Sequence, residues 1–173
     1  DYASAEFKKV NPLAQVPALD IGGKRAMTQA DAIFGYIVEK HPEANLGADD
    51  NILGRFEYAE TMSFLTGDFH PAYWPFFGPQ RYTVDHSETA LDNVRKASFA
   101  RIDRVMTYLD ELIGDSEHVY RNRRTVADAY AFIMSRWSVR TPKSWKEYPN
   151  IARLFASMEK DADVQAVLRE SAA

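Results

Sequence analysis

Apolar and polar positions divide the chain into a short opening with strand-like runs and a long remainder with helical spacing. The apolar run from Val16 to Ile21, the Gly22-Gly23 pair and the short run through Met27-Thr28 predict a β-hairpin, the glycines supplying the positive φ of a two-residue turn. Pro17 stands at the start of the first strand. Proline gives up a ladder donor and is tolerated at an edge, a strand start or a bulge, so the outer side of this strand is a candidate docking edge. From Asp31 to Lys40 the period becomes helical, and Ile33, Phe34, Ile37 and Val38 are expected to bury one face. Gln29 and Ala30 open this helix, and His41-Pro42 ends it because a residue before proline avoids the α region. Asp1 to Val10 reads as a loop or a single helical turn. The Pro-, Gly-, Asn- and Asp-bearing segment Pro42 to Asp50 reads as a linker, which gives two domains, 1–43 and 44–173.

Beyond Asn51 only helices are predicted. The first runs from about Asn51 to Phe69 with Leu53, Phe56, Ala59, Met62 and Ser63 on one face, and is broken near Pro71 and Pro75. In the second, Leu91, Val94, Ser98, Ile102, Val105, Leu109 and Leu112 form a narrow stripe. Asp85 with Glu88 is a plausible capping box at its start, and Gly114 ends it. Thr125-Val126-Ala127-Asp128 is a further capping box, ahead of an apolar face of Val126, Tyr130, Ile133, Met134 and Trp137. Tyr148-Pro149-Asn150 starts a last helix through Ile151, Leu154, Phe155 and Met158 toward Leu168. The fold class is an α/β start followed by an all-α bundle.

Composition narrows the function. At 173 residues the chain is long enough for one large or two small packed units. Cysteine is absent, which excludes disulfides, thiolate metal sites and a cysteine nucleophile within the chain, and is compatible with a cytoplasmic setting. A formal charge of -4 argues against a duplex-binding surface. Arg121, Arg123 and Arg124 form the one conspicuous basic run, expected to be a solvated loop. No apolar stretch approaches a membrane span and no signal-peptide pattern opens the chain. The first residue is not methionine, so the chain is expected to be processed, trimmed or incompletely represented.

Chemistry gathers at the hairpin. If the Val16-Pro17 bond is cis, the sharp turn leaves the Val16 N–H and C=O facing outward, able to pair with an extended peptide ligand. The alternative is an ordinary edge hairpin with a trans proline. The start of the following helix, at Gln29 and Ala30, offers unpaired N–H groups suited to a carboxylate. Farther on, His70 is either a surface histidine at a helix end or a functional imidazole, and the spacing supplies it with no orienting partner. Tyr73, Trp74, Phe76, Phe77 and Tyr82 either wall an apolar pocket or belong to the core.

Four motifs in order resemble the glutathione transferase family over nearly the whole chain, from roughly Ala5 to Ala173. Asn11-Pro12-Leu13-Ala14-Gln15-Val16-Pro17-Ala18-Leu19 resembles its segment through a cis-proline, and Met27-Thr28-Gln29-Ala30-Asp31-Ala32-Ile33 its step into the third helix of a thioredoxin-like domain. Thr125 to Tyr130 resembles the buried capping box of its helical domain, and Tyr148-Pro149-Asn150-Ile151 its last long helix. Phe69-His70-Pro71 makes the chain most similar to the bacterial beta class. The resemblance implies a partial thioredoxin-like domain followed by an all-helical domain. It also implies an enzyme that conjugates the glutathione thiolate to hydrophobic electrophiles, with a detoxifying role, as a cytoplasmic homodimer. Glutathione is then a co-substrate, with no metal or other cofactor and no nucleic-acid or membrane partner. Val16, beside Pro17, pairs through its backbone with the cysteinyl part of glutathione, and Gln29 with the Ala30 N–H holds the γ-glutamyl carboxylate. His70 hydrogen-bonds sulfur or polarises the second substrate. Tyr73, Trp74 and Phe77 are candidates for the hydrophobic substrate, and Asp68 for the ligand's amine across a dimer interface.

Three departures weigh against catalysis. Ala14 replaces a glycine of the family's turn, which matters little if φ there stays negative. Ala30 replaces a serine, at a cost of about 0.5 to 3 kcal/mol for the missing hydrogen bond. The family's first strand, first helix and second strand, which carry the thiol-activating Tyr, Ser or Cys, are absent, and no residue of the chain is nominated for that role. Loss of such a unit exposes apolar surface at ~25 cal/mol per Å², which favours an omitted N-terminus over a truncated protein. The rival functions are a non-catalytic binding or interaction module on the same scaffold and another glutathione-dependent activity, such as a peroxidase, isomerase or dehalogenase.

Overall fold

The computed structural model describes residues 3–171. The chain divides into two compact units, Asp1–Gly47 and Ala48–Ala173, the division falling beyond the boundary expected at residue 43. The reason is local. Gly47 is buried so closely against Val38 that a Cβ there would stand 2.4 Å from the Val38 Cγ1, which keeps the segment after Pro42 in the first unit.

In the first unit a helix α1, Ala5–Val10, is capped by Ser4, whose Oγ accepts the Phe7 N–H at 3.1 Å. Strands β1, Ala18–Leu19, and β2, Met27–Thr28, pair antiparallel with Ala18 opposite Thr28 and Leu19 opposite Met27. The expected two-residue Gly-Gly turn is not formed. Asp20 Oδ1 instead accepts the Gly22 N–H at 2.9 Å, an Asx turn that opens a wider loop, and of the two glycines only Gly22 has positive φ. Helix α2 runs Ala30–Lys40 and ends at His41. Its expected apolar face is buried only at Ile33, while Ile37 is 40 % exposed, because a two-residue ladder has little area with which to cover a helix.

The second unit opens with α3, Ile52–Phe64, capped by Asn51, whose Oδ1 accepts the Gly54 N–H at 2.8 Å. The helix breaks near the prolines, as the sequence suggests, with Tyr73 between two short segments. A π-helical turn, Leu65–Phe69, carries it into the short helices α4, His70–Ala72, and α5, Trp74–Phe77. The His70 N–H reaches back to the Leu65 carbonyl, and this wider turn changes the hydrogen-bond register just before Pro71, which has no N–H to give. The buried face is also not the expected one: Leu53 and Phe56 are 61 % and 70 % exposed, while Met62, Leu65, Phe69 and Tyr73 lie in the core.

Helix α6, Glu88–Ile113, buries Ser98, Ile102, Val105, Met106, Leu109 and Ile113, and Gly114 at φ 52 stops it. Its cap is Ser87, not Asp85. Ser87 Oγ accepts the Ala90 N–H, and Asp85 caps the cap by accepting the Ser87 N–H at 2.8 Å. Helix α7 runs Val126–Ser135 and α8 runs Pro149–Met158. The α8 start is held from α6, where Asp110 Oδ1 accepts the N–H groups of Asn150 and Ile151 at 2.8 and 2.9 Å. The chain then starts anew instead of continuing α8 toward Leu168: Asp161 Oδ1 accepts from the N–H groups of Asp163 and Val164 to open α9, Ala162–Ser171. Around this frame Phe155 stacks on Trp145 and packs tilted against Phe132, with ring centroids 3.9 and 4.6 Å apart.

The basic run is a loop with Arg121 and Arg124 exposed, as expected, but its side chains are also paired. Arg121 pairs with Asp49 and Glu57, Arg123 with Asp49, and Arg124 with Asp161, so the three side chains tie the segment before α7 to its neighbours. Among the described residues no helix is long and apolar enough to cross a membrane.

Candidate functional site

In the first unit the candidate residues sit on a loop organised by Asn11. This side chain is 3 % exposed; its Nδ2 donates to the Gln15 carbonyl at 2.6 Å and its Oδ1 accepts the Leu13 N–H at 3.1 Å. Ala14, whose N–H goes to the Asn11 carbonyl, has φ 53, so the negative φ expected of it is not found and a non-glycine residue occupies the left-handed region. The loop delivers Val16 to the surface, 69 % exposed, and the Val16-Pro17 peptide bond is cis. Neither the N–H nor the C=O of Val16 has a hydrogen-bond partner among the described residues. Hydrogen-bonding groups left open at an exposed edge are what an extended peptide needs.

Gln29 precedes α2 with φ 75 and ψ 120 and makes no side-chain cap. The Ile33 N–H is the first to reach a backbone carbonyl, that of Gln29, so the amides of Ala30 to Ala32 project from the helix start. A side chain held at such a φ is strained, and strain persists where surrounding structure fixes it, commonly at a ligand site. Ala30 contributes only its N–H here.

In the second unit His70 is half-buried at the start of α4, and its Nδ1 lies 2.9 Å from the Tyr130 hydroxyl of α7. The orienting partner missing from the sequence reading is therefore present. Phenol is the better donor and imidazole nitrogen the better acceptor, so the Tyr130 O–H donates to Nδ1 and the ring proton resides on Nε2. Burial holds the imidazole below its ordinary value of 6.5, favouring the neutral form. The His70 ring packs on Trp74 at 5.9 Å and Trp137 at 5.2 Å, and Trp137 packs on Phe77 at 5.3 Å. Trp74 and Phe77 are 49 % and 44 % exposed and can meet a substrate. Tyr73 cannot: it is fully buried behind Trp137, its hydroxyl lacks a full hydrogen bond, and burial pushes its pKa upward, so it supports the face instead of lining it. Asp68 is exposed on the π turn, in a groove of about 500 Å³ with Glu60, Phe64, Arg104 and Tyr108. A second cavity, about 510 Å³, lies by His118 and Arg153, but Arg124 there is engaged by Asp161 and Arg153 by the carbonyls of Gly114 and Ser116.

The box at α7 is buried, and its Asp128 half is formed. Asp128 accepts the N–H groups of Thr125 at 2.7 Å and Val119 at 2.8 Å, and His118 Nδ1 stands 3.4 Å away without hydrogen-bond geometry. Thr125 Oγ1 faces the Asp128 N–H, but that N–H goes to the Thr125 carbonyl at 3.2 Å and the hydroxyl is left without a full bond. Burial pushes the Asp128 pKa up against the lowering pull of the two amides.

Sequence reasoning missed Asn11, Tyr130 as a partner of His70, and Trp137 as part of this face. Tyr130 lies on α7 and Trp137 on the 3-10 turn that follows it, Arg136–Arg140, and only the fold shows that both meet His70.

An α/β unit with an open strand edge and an open helix start, joined in sequence to an all-α unit, is the order of a thioredoxin-like domain followed by a helical domain, and the relatives agree. Residues 1–39 match the family model described as glutathione S-transferase, N-terminal domain. A bacterial beta class glutathione S-transferase from Sphingomonas chungbukensis is 30 % identical with a TM-score of 0.80, over 95 % of this chain and 77 % of that one. A sphingomonad glutathione S-transferase complexed with glutathione is 26 % identical with a TM-score of 0.81, over 97 % and 79 %. Glutathione S-transferase GstA of Escherichia coli O157:H7 is 28 % identical over 163 residues, 94 % of this chain and 77 % of the relative. The chain belongs to the glutathione transferase family and is an enzyme of the transferase class. Within that family it is most similar to the bacterial beta class.

Proposed function

We propose that the protein binds glutathione along the Val16 edge and conjugates its thiolate to apolar electrophiles. The observation that carries this reading is the exposed Val16 backbone, with its hydrogen-bonding groups open, on the same unit as the open α2 start. The main chain of Val16, beside Pro17, pairs with the cysteinyl residue. Gln29 and the Ala30 N–H take the γ-glutamyl carboxylate at the positive end of the helix dipole. Asp68 takes the ligand's amine from across a dimer interface.

His70 acts in the second unit as a neutral Nε2–H donor toward sulfur or the electrophile, and Trp74 and Phe77 receive the electrophile. In a substitution on a chlorinated aromatic ring, the thiol proton goes to solvent and the thiolate attacks the carbon bearing chlorine. The C–S bond forms as chloride leaves with the C–Cl electron pair. The exposed apolar residues Ile52, Leu53 and Phe56 on α3 support a homodimer, and the absence of cysteine fits a cytoplasmic setting.

The test uses the full-length protein. It is expected to be retained on immobilised glutathione, to turn over chlorodinitrobenzene with glutathione, and to sediment as a dimer. Binding without turnover would favour the interaction-module reading, to which the missing hydroxyl at Ala30 points. Failure to bind would contradict the glutathione site, and a monomeric profile the dimer.

A further inference from the structure

Arg140 ends the turn that follows α7, Arg136–Arg140, and its side chain is exposed. Its guanidinium lies 5.7 Å from the ring centroids of both Phe76 and Phe77. In the same unit Arg121, Arg123 and Arg124 each hold a carboxylate, whereas among the described residues none lies within 4.0 Å of Arg140. The acid on the nearby chain, Asp103, is occupied by Lys143 at 3.2 Å and by the Tyr148 hydroxyl at 2.6 Å. Arg140 is thus a fixed positive charge whose neighbours are aromatic rings.

Those rings are continuous with the His70 face. His70 packs on Trp137 at 5.2 Å, Trp137 on Phe77 at 5.3 Å, and Phe77 under Arg140 at 5.7 Å. One end of the ridge carries a neutral donor, the middle is a half-exposed aromatic surface, and the far end carries a cation. A planar, electron-poor ring stacks on the electron-rich middle, and a carboxylate on that ring meets a guanidinium fork suited to two parallel hydrogen bonds.

Resting on the second-substrate role given above to this face, we propose that the face selects aromatic electrophiles that bear an anionic group, and that Arg140 reads the anion.

The experiment compares a chloronitrobenzoate with its methyl ester in the full-length protein, because the two share the reacting carbon and differ in charge. Replacing Arg140 by Gln is expected to raise the KM ratio of acid to ester about tenfold, and Arg140→Lys to raise it by less than half as much, since a point charge replaces a fork. Equal ratios in the parent and Arg140→Gln overturn the inference. If neither compound is turned over, the transferase reading fails and the inference is judged on binding alone. Quenching of tryptophan emission by the chloronitrobenzoate, which reaches Trp74 and Trp137, is then expected to need about tenfold more ligand in Arg140→Gln than in the parent, and coincident titrations overturn it.

Discussion

Helix α7 begins at a buried corner: Asp128 is fully buried and accepts the N–H groups of the cap residue Thr125 and of Val119, so the side chain of the first turn is engaged within the protein. Helix α2 begins in the opposite way. Gln29 sits at φ 75, caps nothing with its side chain, and leaves the first amides of the helix pointing outward. Every helix start carries the same orphaned donors. Where the first turn is buried and its side chain engaged from within, as at Asp128, the helix start contributes stability; where its amides project, as at Ala30, they are available to a ligand.

The sharpest way to break this comparison is Asp128→Ala. It strands two amides in a site that water does not reach, and stability is expected to fall by about 3 kcal/mol, read by urea or thermal unfolding. A loss under 1 kcal/mol would mean that the corner is not held by Asp128 as described.

Next in size is His70→Ala, expected to lower kcat/KM with glutathione and chlorodinitrobenzene about 30-fold, within the range for a positioned donor in general acid catalysis, without unfolding the protein. A smaller effect follows at Tyr130→Phe, about 5-fold, and it carries a pH signature. Burial keeps the native His70 pKa under 6.5, so the ring is neutral through neutral pH and gains its second proton only as pH falls below 6.5; Nε2–H is a donor in both forms, so the titration is read from the His70 ring NMR shifts. The Tyr130 donor favours the neutral ring, so its removal raises the pKa, and the midpoint of that titration is expected to move to higher pH. A midpoint that stays in place or moves lower would contradict the hydrogen bond from Tyr130 to Nδ1. The smallest expected change is Ala14→Gly, which relieves a non-glycine residue at φ 53 and should stabilise the protein by about 0.5 to 1 kcal/mol in the same unfolding assay.

The two helix starts also differ in how legible they were. The Thr125–Asp128 box could be read directly because its logic is local, a side chain answering amides three residues away. The α6 stripe from Ser98 to Leu109 was legible for the same reason of spacing, although its cap was placed two residues early at Asp85. The α3 face was misread because its buried side runs through Gly54 and Thr61, which carry no apolar signal, while the large apolar residues Leu53 and Phe56 are exposed. The pairing of His70 with Tyr130 joins residues 60 positions apart, so neither segment shows it alone. At the Val16 edge the sequence marked the place through Pro17, while the positive φ of Ala14 and Gln29, adopted by residues that disfavour it, could be seen only in the folded backbone.

The most direct measurement of the central claim is amide hydrogen exchange at Val16 in the full-length protein with and without glutathione. A ligand held by main-chain pairing is expected to slow exchange of the Val16 amide at least tenfold, while Val16→Ala, which keeps the same backbone groups, binds glutathione within about twofold of the parent. Unchanged exchange at Val16 under saturating glutathione would contradict the account.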